Sequence, residues 1–103
     1  MDALKAAVGD LAMREMVWAQ HLHGQRYASD HEGYGVLAEE VQEAKDEQMR
    51  LDNRLHAMLR HIHQENREKI KGTLLRMEQD AINGACENIQ VAAVCRKWLE
   101  GMQ

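Results

Sequence analysis

No proline interrupts the 103 residues of this chain, and its apolar residues recur at three- and four-residue steps almost throughout. Nothing in such a chain bars long continuous helices, whereas strands and tight turns draw on proline, threonine, β-branched and aromatic residues. Threonine occurs once, at Thr73, phenylalanine is absent, and the four aromatics are Trp18, Tyr27, Tyr34 and Trp98. The apolar share is carried instead by Ala, Leu and Met, which favour helix. An all-β fold is excluded, and a single all-α domain, a helical bundle with two long helices, is predicted for residues 1–103.

The periodicity places three helices. Leu4, Val8, Leu11, Trp18 and Leu22 alternate steps of four and three, Glu15 takes the remaining place in that series, and Met13, Met16 and Val17 widen the stripe. This predicts a first helix over Asp2–His23 with Trp18 in the core. Gly24 and the polar residues that follow make the break. Ser29-Asp30-His31-Glu32 has the form of a capping box, in which Ser29 accepts from the backbone three residues on and Glu32 reaches back. A second helix starts there and reaches His63, with the seam Leu37, Val41, Ala44, Gln48, Leu51, Leu55, Met58 and Ile62. The polar run from Gln64 to Lys69 is the best turn candidate, although it holds neither Gly nor Pro and helix can also continue through it. A third helix resumes by residue 70 and runs to residue 99. Gly72 and Gly84 each weaken it by about 1 kcal/mol relative to Ala. Gly84, set among Ala81, Ala85 and Cys86, suggests a close helix–helix approach.

Helix length carries a further implication. Thirty residues of helix span about 45 Å, whereas a compact chain of this size has a radius of gyration near 13 Å. Two such helices bury their stripes poorly alone, which predicts a homo-oligomer. The formal charge is −4, with no basic run, which argues against duplex nucleic acid as a partner. No stretch of 18 apolar residues is present, which predicts no membrane association. The N-terminal residues lack a secretory pattern, and Cys86 and Cys95, nine residues apart, lie about 13 Å from each other on one helix. That distance is too long for a disulfide, and the expectation is a cytoplasmic protein with reduced thiols.

The segment from Ala81 to Leu99 is apolar in nearly every direction, the pattern of a buried helix. Yet Asp80, Asn83, Glu87 and Gln90 line one narrow face of it. Burying a carboxylate costs several kcal/mol unless it is paired or bound to a metal, so this face meets either solvent or a cation. The second helix offers a counterpart in Glu39, Glu40, Glu43 and Glu47, of which residues 40, 43 and 47 share a face. Like charges so close repel. A divalent ion removes the repulsion, and Mg²⁺ prefers carboxylate oxygens while keeping waters that a phosphate can displace.

Two segments carry a family resemblance. They are His31-Glu32-Gly33-Tyr34-Gly35-Val36-Leu37-Ala38-Glu39-Glu40-Val41-Gln42-Glu43-Ala44 and Ala85-Cys86-Glu87-Asn88-Ile89-Gln90-Val91-Ala92-Ala93. Over these residues the chain resembles the MazG-like nucleoside triphosphate pyrophosphohydrolases, in particular their small phage-type members. The family pattern is Glu-Glu-x-x-Glu on one helix and Glu-x-x-Asp on a later one. Glu39-Glu40-x-x-Glu43 fits the first half, and Glu87-x-x-Gln90 occupies the second with Gln90 where the pattern has Asp. The interval between the two motifs is long for the family. The resemblance implies an all-α fold, assembly into dimers or tetramers, and Mg²⁺-dependent cleavage of a nucleoside triphosphate to monophosphate and pyrophosphate. It implies Glu40, Glu43, Glu87 and the amide of Gln90 as metal ligands. It implies, too, that Glu39 binds a second ion or orients the attacking water.

Other residues are candidates for substrate contact. His31 sits at a predicted helix N-terminus, which favours anions. Tyr34 lies one turn before the acidic motif and can stack on a base. Arg96 and Lys97 lie two turns past Glu87 and can meet a triphosphate, as can Asn83 on the polar face. His56, His61 and His63 have no metal-ligand spacing and read as solvated. Two functions stand against each other: a Mg²⁺-dependent nucleotide pyrophosphohydrolase, and a non-catalytic, phage-derived helical oligomer that keeps the scaffold. Gln90 favours the second, and the stripe Asp80-Asn83-Glu87 favours the first.

Overall fold

Gly24 ends the first helix. It takes φ 98°, a left-handed value open to glycine, and its N–H closes on the carbonyl of Gln20 at 2.9 Å. The computed structural model describes residues 1–102, and in it α1 spans Asp2–His23, α2 Asp30–His63 and α3 Arg67–Gly101. Among the described residues there is no strand, so the all-α class is as expected, and no helix is long and apolar enough to cross a membrane.

The capping residues account for the remaining boundaries. Ser29 caps α2, its hydroxyl accepting from the N–H of Glu32 at 3.2 Å. The return bond from the Glu32 side chain does not form, so half of the expected capping box is realised. The turn before α3 is tighter than predicted. Glu65 adopts φ 52°, and the Asn66 side chain accepts from the N–H of Lys69 at 3.1 Å. An asparagine cap therefore starts α3 at Arg67, ahead of the expected residue 70.

α3 is the central element. It packs on α2 along much of its length and on α1, while α1 and α2 do not meet. At one end the indole N–H of Trp98 donates to Asp30 at 2.9 Å. The ring lies so close to Gly33 that a Cβ there would come within 2.9 Å of it, so glycine is what lets the end of α3 rest on the first turn of α2. Gly84 is less constrained: a Cβ would meet Glu47 Cβ at 3.6 Å, an ordinary contact.

Several expectations about the core change. The buried apolar residues are Ala12 and Met16 on α1, Met58 on α2, and Ala93 and Val94 on α3. Trp18 is 60% exposed and is not core, because α3 meets the Ala12–Met16 side of α1. On the α2 seam Leu55, Ile62 and Gln48 are exposed. The shielded positions of α2 include Glu40, Glu47, Arg54 and His61 beside Met58. The stretch read as buried on all sides is covered on one side only, with Ala81, Ile82, Ala85, Cys86 and Ala92 exposed. Both cysteines are free and exposed. The molecule measures 57 × 31 × 21 Å with a radius of gyration of 17.6 Å, well above the ~13 Å of a compact domain this size.

Candidate metal centre

α2 presents Glu40 and Glu43 one turn apart, and α3 brings Glu87 against them. One carboxylate oxygen from each lies within 4.8 Å of the others. Two stretches of chain separated by more than forty residues therefore converge on one acidic cluster, with Glu40 and Glu87 half-buried and Glu43 exposed. Glu40 Oε2 is buried without a hydrogen-bond partner, and so is Glu47 Oε2 one turn beyond Glu43. The other oxygen of Glu47 accepts from Arg50 at 2.6 Å.

These surroundings shift two of the acids upward. Glu40 is raised from the ordinary glutamate value first by burial, then by the charges of Glu43 and Glu87 close to it. Glu87 is raised by burial, by its own contact with Glu43 and by Glu47. The part of these shifts that comes from like charge would be relieved by a bound cation as it is by a proton. The donor set is all oxygen and carries formal negative charge, which suits a hard divalent ion such as Mg²⁺.

Glu40 also reaches into a cleft of about 660 Å³ bounded by all three helices. That volume falls within the range of small-molecule sites. α1 supplies Glu15, Trp18, Leu22 and His23 to its wall; α2 supplies Glu32, Val36 and Glu40; α3 supplies Gln90, Val94 and Lys97. Tyr27, from the connection between α1 and α2, completes it. Its phenol is raised by burial and by the charges of Glu32, Glu40 and Cys95. Lys97 is only 3% exposed, with its ammonium 4.3 Å above the centre of the Tyr27 ring. Among the described residues it makes no ion pair. The cleft thus holds a concentrated negative site at Glu40 and a shielded positive one at Lys97.

The polar face of α3 divides. Asp80 is buried and pairs with Arg54 of α2, a cation supplied by the chain itself. Asn83 is exposed, Glu87 joins the cluster, and Gln90 is half-buried in the cleft wall. Glu39 is exposed beside Glu40. His31, Tyr34 and Arg96 are exposed and are not part of the cleft wall. Sequence reasoning did not anticipate the wall provided by α1. Its signal was Glu15, a carboxylate occupying a place in an apolar stripe.

Comparison with protein-family models, with curated proteins and with solved structures finds no match to this chain.

Proposed function

We propose that this chain is a Mg²⁺-dependent nucleoside triphosphate pyrophosphohydrolase that converts an NTP or dNTP to the monophosphate and pyrophosphate. The observation that carries this reading is the meeting of Glu40, Glu43 and Glu87 from two helices, with a buried oxygen of Glu40 left without a partner. Glu40, Glu43 and Glu87 would hold the ion, with Gln90 adding a neutral amide oxygen from the adjoining wall. When bound, Mg²⁺ supplies charge neutralisation to a triphosphate and activation of a water for attack at phosphorus. Lys97 gives the cleft a shielded, unpaired ammonium that suits a polyphosphate, whose charge it meets without first giving up a carboxylate partner. Glu39, exposed and next to Glu40 in the sequence, would orient the attacking water.

A second reading rests on Gln90. Where a fourth carboxylate would strengthen the site, this residue brings no charge, and a chain with a weakened centre would serve as a helical scaffold or interaction protein.

The separating experiment incubates the protein with a panel of nucleoside and deoxynucleoside triphosphates and Mg²⁺ and measures pyrophosphate and monophosphate. Pyrophosphate release by the wild type is expected to fall by about 100-fold or more in Glu40→Ala and in Glu87→Ala, beyond the 10–100-fold typical of losing an outer partner of a metal ligand. A wild type that releases no pyrophosphate from any nucleotide overturns the enzymatic reading and leaves the scaffold.

A further inference from the structure

α1 and α2 both pack on α3 and not on each other, and the cleft of about 660 Å³ takes a wall from each of the three. The α1 wall is one helical stripe, with Glu15, Trp18, Ala19 and Leu22 at positions i, i+3, i+4 and i+7. Glu15 is the one charged residue of that stripe. It is half-buried and forms no ion pair among the described residues. Glu32, the other acid of the cleft besides Glu40, is exposed and shares the α2 wall with Glu40.

The same cleft holds Lys97, 3% exposed and without a carboxylate partner. An acid on one wall and a shielded base on another are thus left unpaired in one cavity, although folding ordinarily satisfies such groups. A ligand that answers both carries an anionic part for Lys97 and hydrogen-bond donors for Glu15.

A nucleotide has both parts. With its phosphates at the Glu40 cluster and Lys97, its base is left to the α1 wall. There Trp18 is 60% exposed beside the apolar side chains of Ala19 and Leu22, and an indole face suits any base. Tyr34, the expected stacking residue, is not part of this wall. Selection among bases then falls to Glu15. A carboxylate only accepts, through two oxygens set side by side. Guanine is the one common base with two adjacent donors on its pairing edge, the ring N–H and the exocyclic amino group. Adenine and cytosine place a ring-nitrogen acceptor beside their amino group, and uracil flanks its N–H with two carbonyls. Each of these sets an acceptor against a carboxylate oxygen, which disfavours it.

We propose that Glu15 reads guanine, accepting from the ring N–H and the exocyclic amino group of a guanine nucleotide whose base stacks on Trp18. The inference rests on the nucleotide reading of the cleft given above and adds the base that it selects.

The test measures kcat/KM with Mg²⁺ for triphosphates of guanine, hypoxanthine, adenine, cytosine and uracil, in wild type and Glu15→Gln. Calorimetry with dGMP and dAMP in chelator reads the same choice without catalysis. The wild type is expected to favour guanine over adenine by about 10–100-fold, with hypoxanthine, which lacks the amino group, in between. Glu15→Gln is expected to bring the guanine-to-adenine ratio to within a few-fold of one in both measurements. A ratio taken on one preparation does not depend on how much of it is folded. Equal use of the bases, preference for a base other than guanine, or a guanine preference that survives in Glu15→Gln overturns the proposal and leaves the pyrophosphohydrolase standing. No pyrophosphate from any triphosphate removes the catalytic reading instead. Calorimetry then decides for Glu15, and dGMP bound no more tightly than dAMP overturns its role as well.

Discussion

Asp80 and Glu87 stand seven residues apart on α3, two turns along the same side, yet their surroundings are opposite. Asp80 is buried against the guanidinium of Arg54. Glu87 meets Glu43 and Glu40, with Glu47 close enough to raise its proton affinity further. The first arrangement is complete in itself: charge is balanced, and the pair ties α2 to α3. The second is incomplete, since three carboxylates converge and a buried oxygen of Glu40 finds no donor. An acid with its partner in place is explained by folding. An acid cluster without one is costly to the fold, and the cation proposed above would relieve that cost.

The largest effect that can break this comparison lies at the balanced end. Asp80→Asn keeps the shape and removes the charge that neutralises Arg54. A loss of about 3 kcal/mol is expected, at the low end for a broken buried pair, because the Arg54 side chain is 32% exposed. The denaturant midpoint at constant m-value measures it. An unchanged midpoint would show that the pair does not hold the helices together.

Gly84 lies between the two acids, and Gly84→Ala probes the seam itself. The added methyl meets Glu47 Cβ at 3.6 Å without overlap, so the ordinary preference of a helix interior for alanine should emerge as a gain of up to about 0.8 kcal/mol. A thermal melt that shifts downward instead would show that α2 and α3 approach more closely than this geometry allows.

The smallest effect is the most discriminating. Glu40 and Glu87 are raised above their unfolded values, so between the two values the folded chain binds more protons than the unfolded one. Their contribution to the ion-free fold is therefore present below the unfolded glutamate pKa and is lost as pH rises through the raised folded values. Without divalent ions, the part of stability due to the cluster falls with rising pH over that window. Glu40→Gln should flatten that fall and raise stability at neutral pH by a few tenths of a kcal/mol, read from melts in chelator across the pH range. A substitution at Asp80 has the opposite sign at neutral pH, and finding the same sign at both sites would erase the distinction between them.

Particular residues show how far the sequence carried. The end of α1 and the start of α2 were readable from Gly24 and Ser29, since a positive-φ glycine stop and a hydroxyl cap are local devices. The start of α3 was read late because Asn66, sitting in a polar run, does the capping that Gly or Pro was expected to announce. Glu40, Glu43 and Glu87 were readable as an acidic constellation from type and spacing, and the fold brings the three together. The Arg54–Asp80 pair joins positions 26 apart in sequence, and nothing local distinguishes Arg54 from the other arginines of α2. Trp18 was misplaced because an apolar stripe tells which residues seek cover and not whether their own chain provides it.

The central claim is that carboxylates of α2 and α3 form one cation site, and the direct measurement is the melting temperature of the wild type, Glu40→Gln and Glu87→Gln with chelator and with millimolar Mg²⁺. Mg²⁺ is expected to raise the wild-type midpoint by about 10–20 °C, as about 2.7 kcal/mol at a hundredfold excess over Kd would do, and to leave both variants nearly unmoved. A wild-type midpoint that does not respond to Mg²⁺, or one that responds equally in all three proteins, contradicts it.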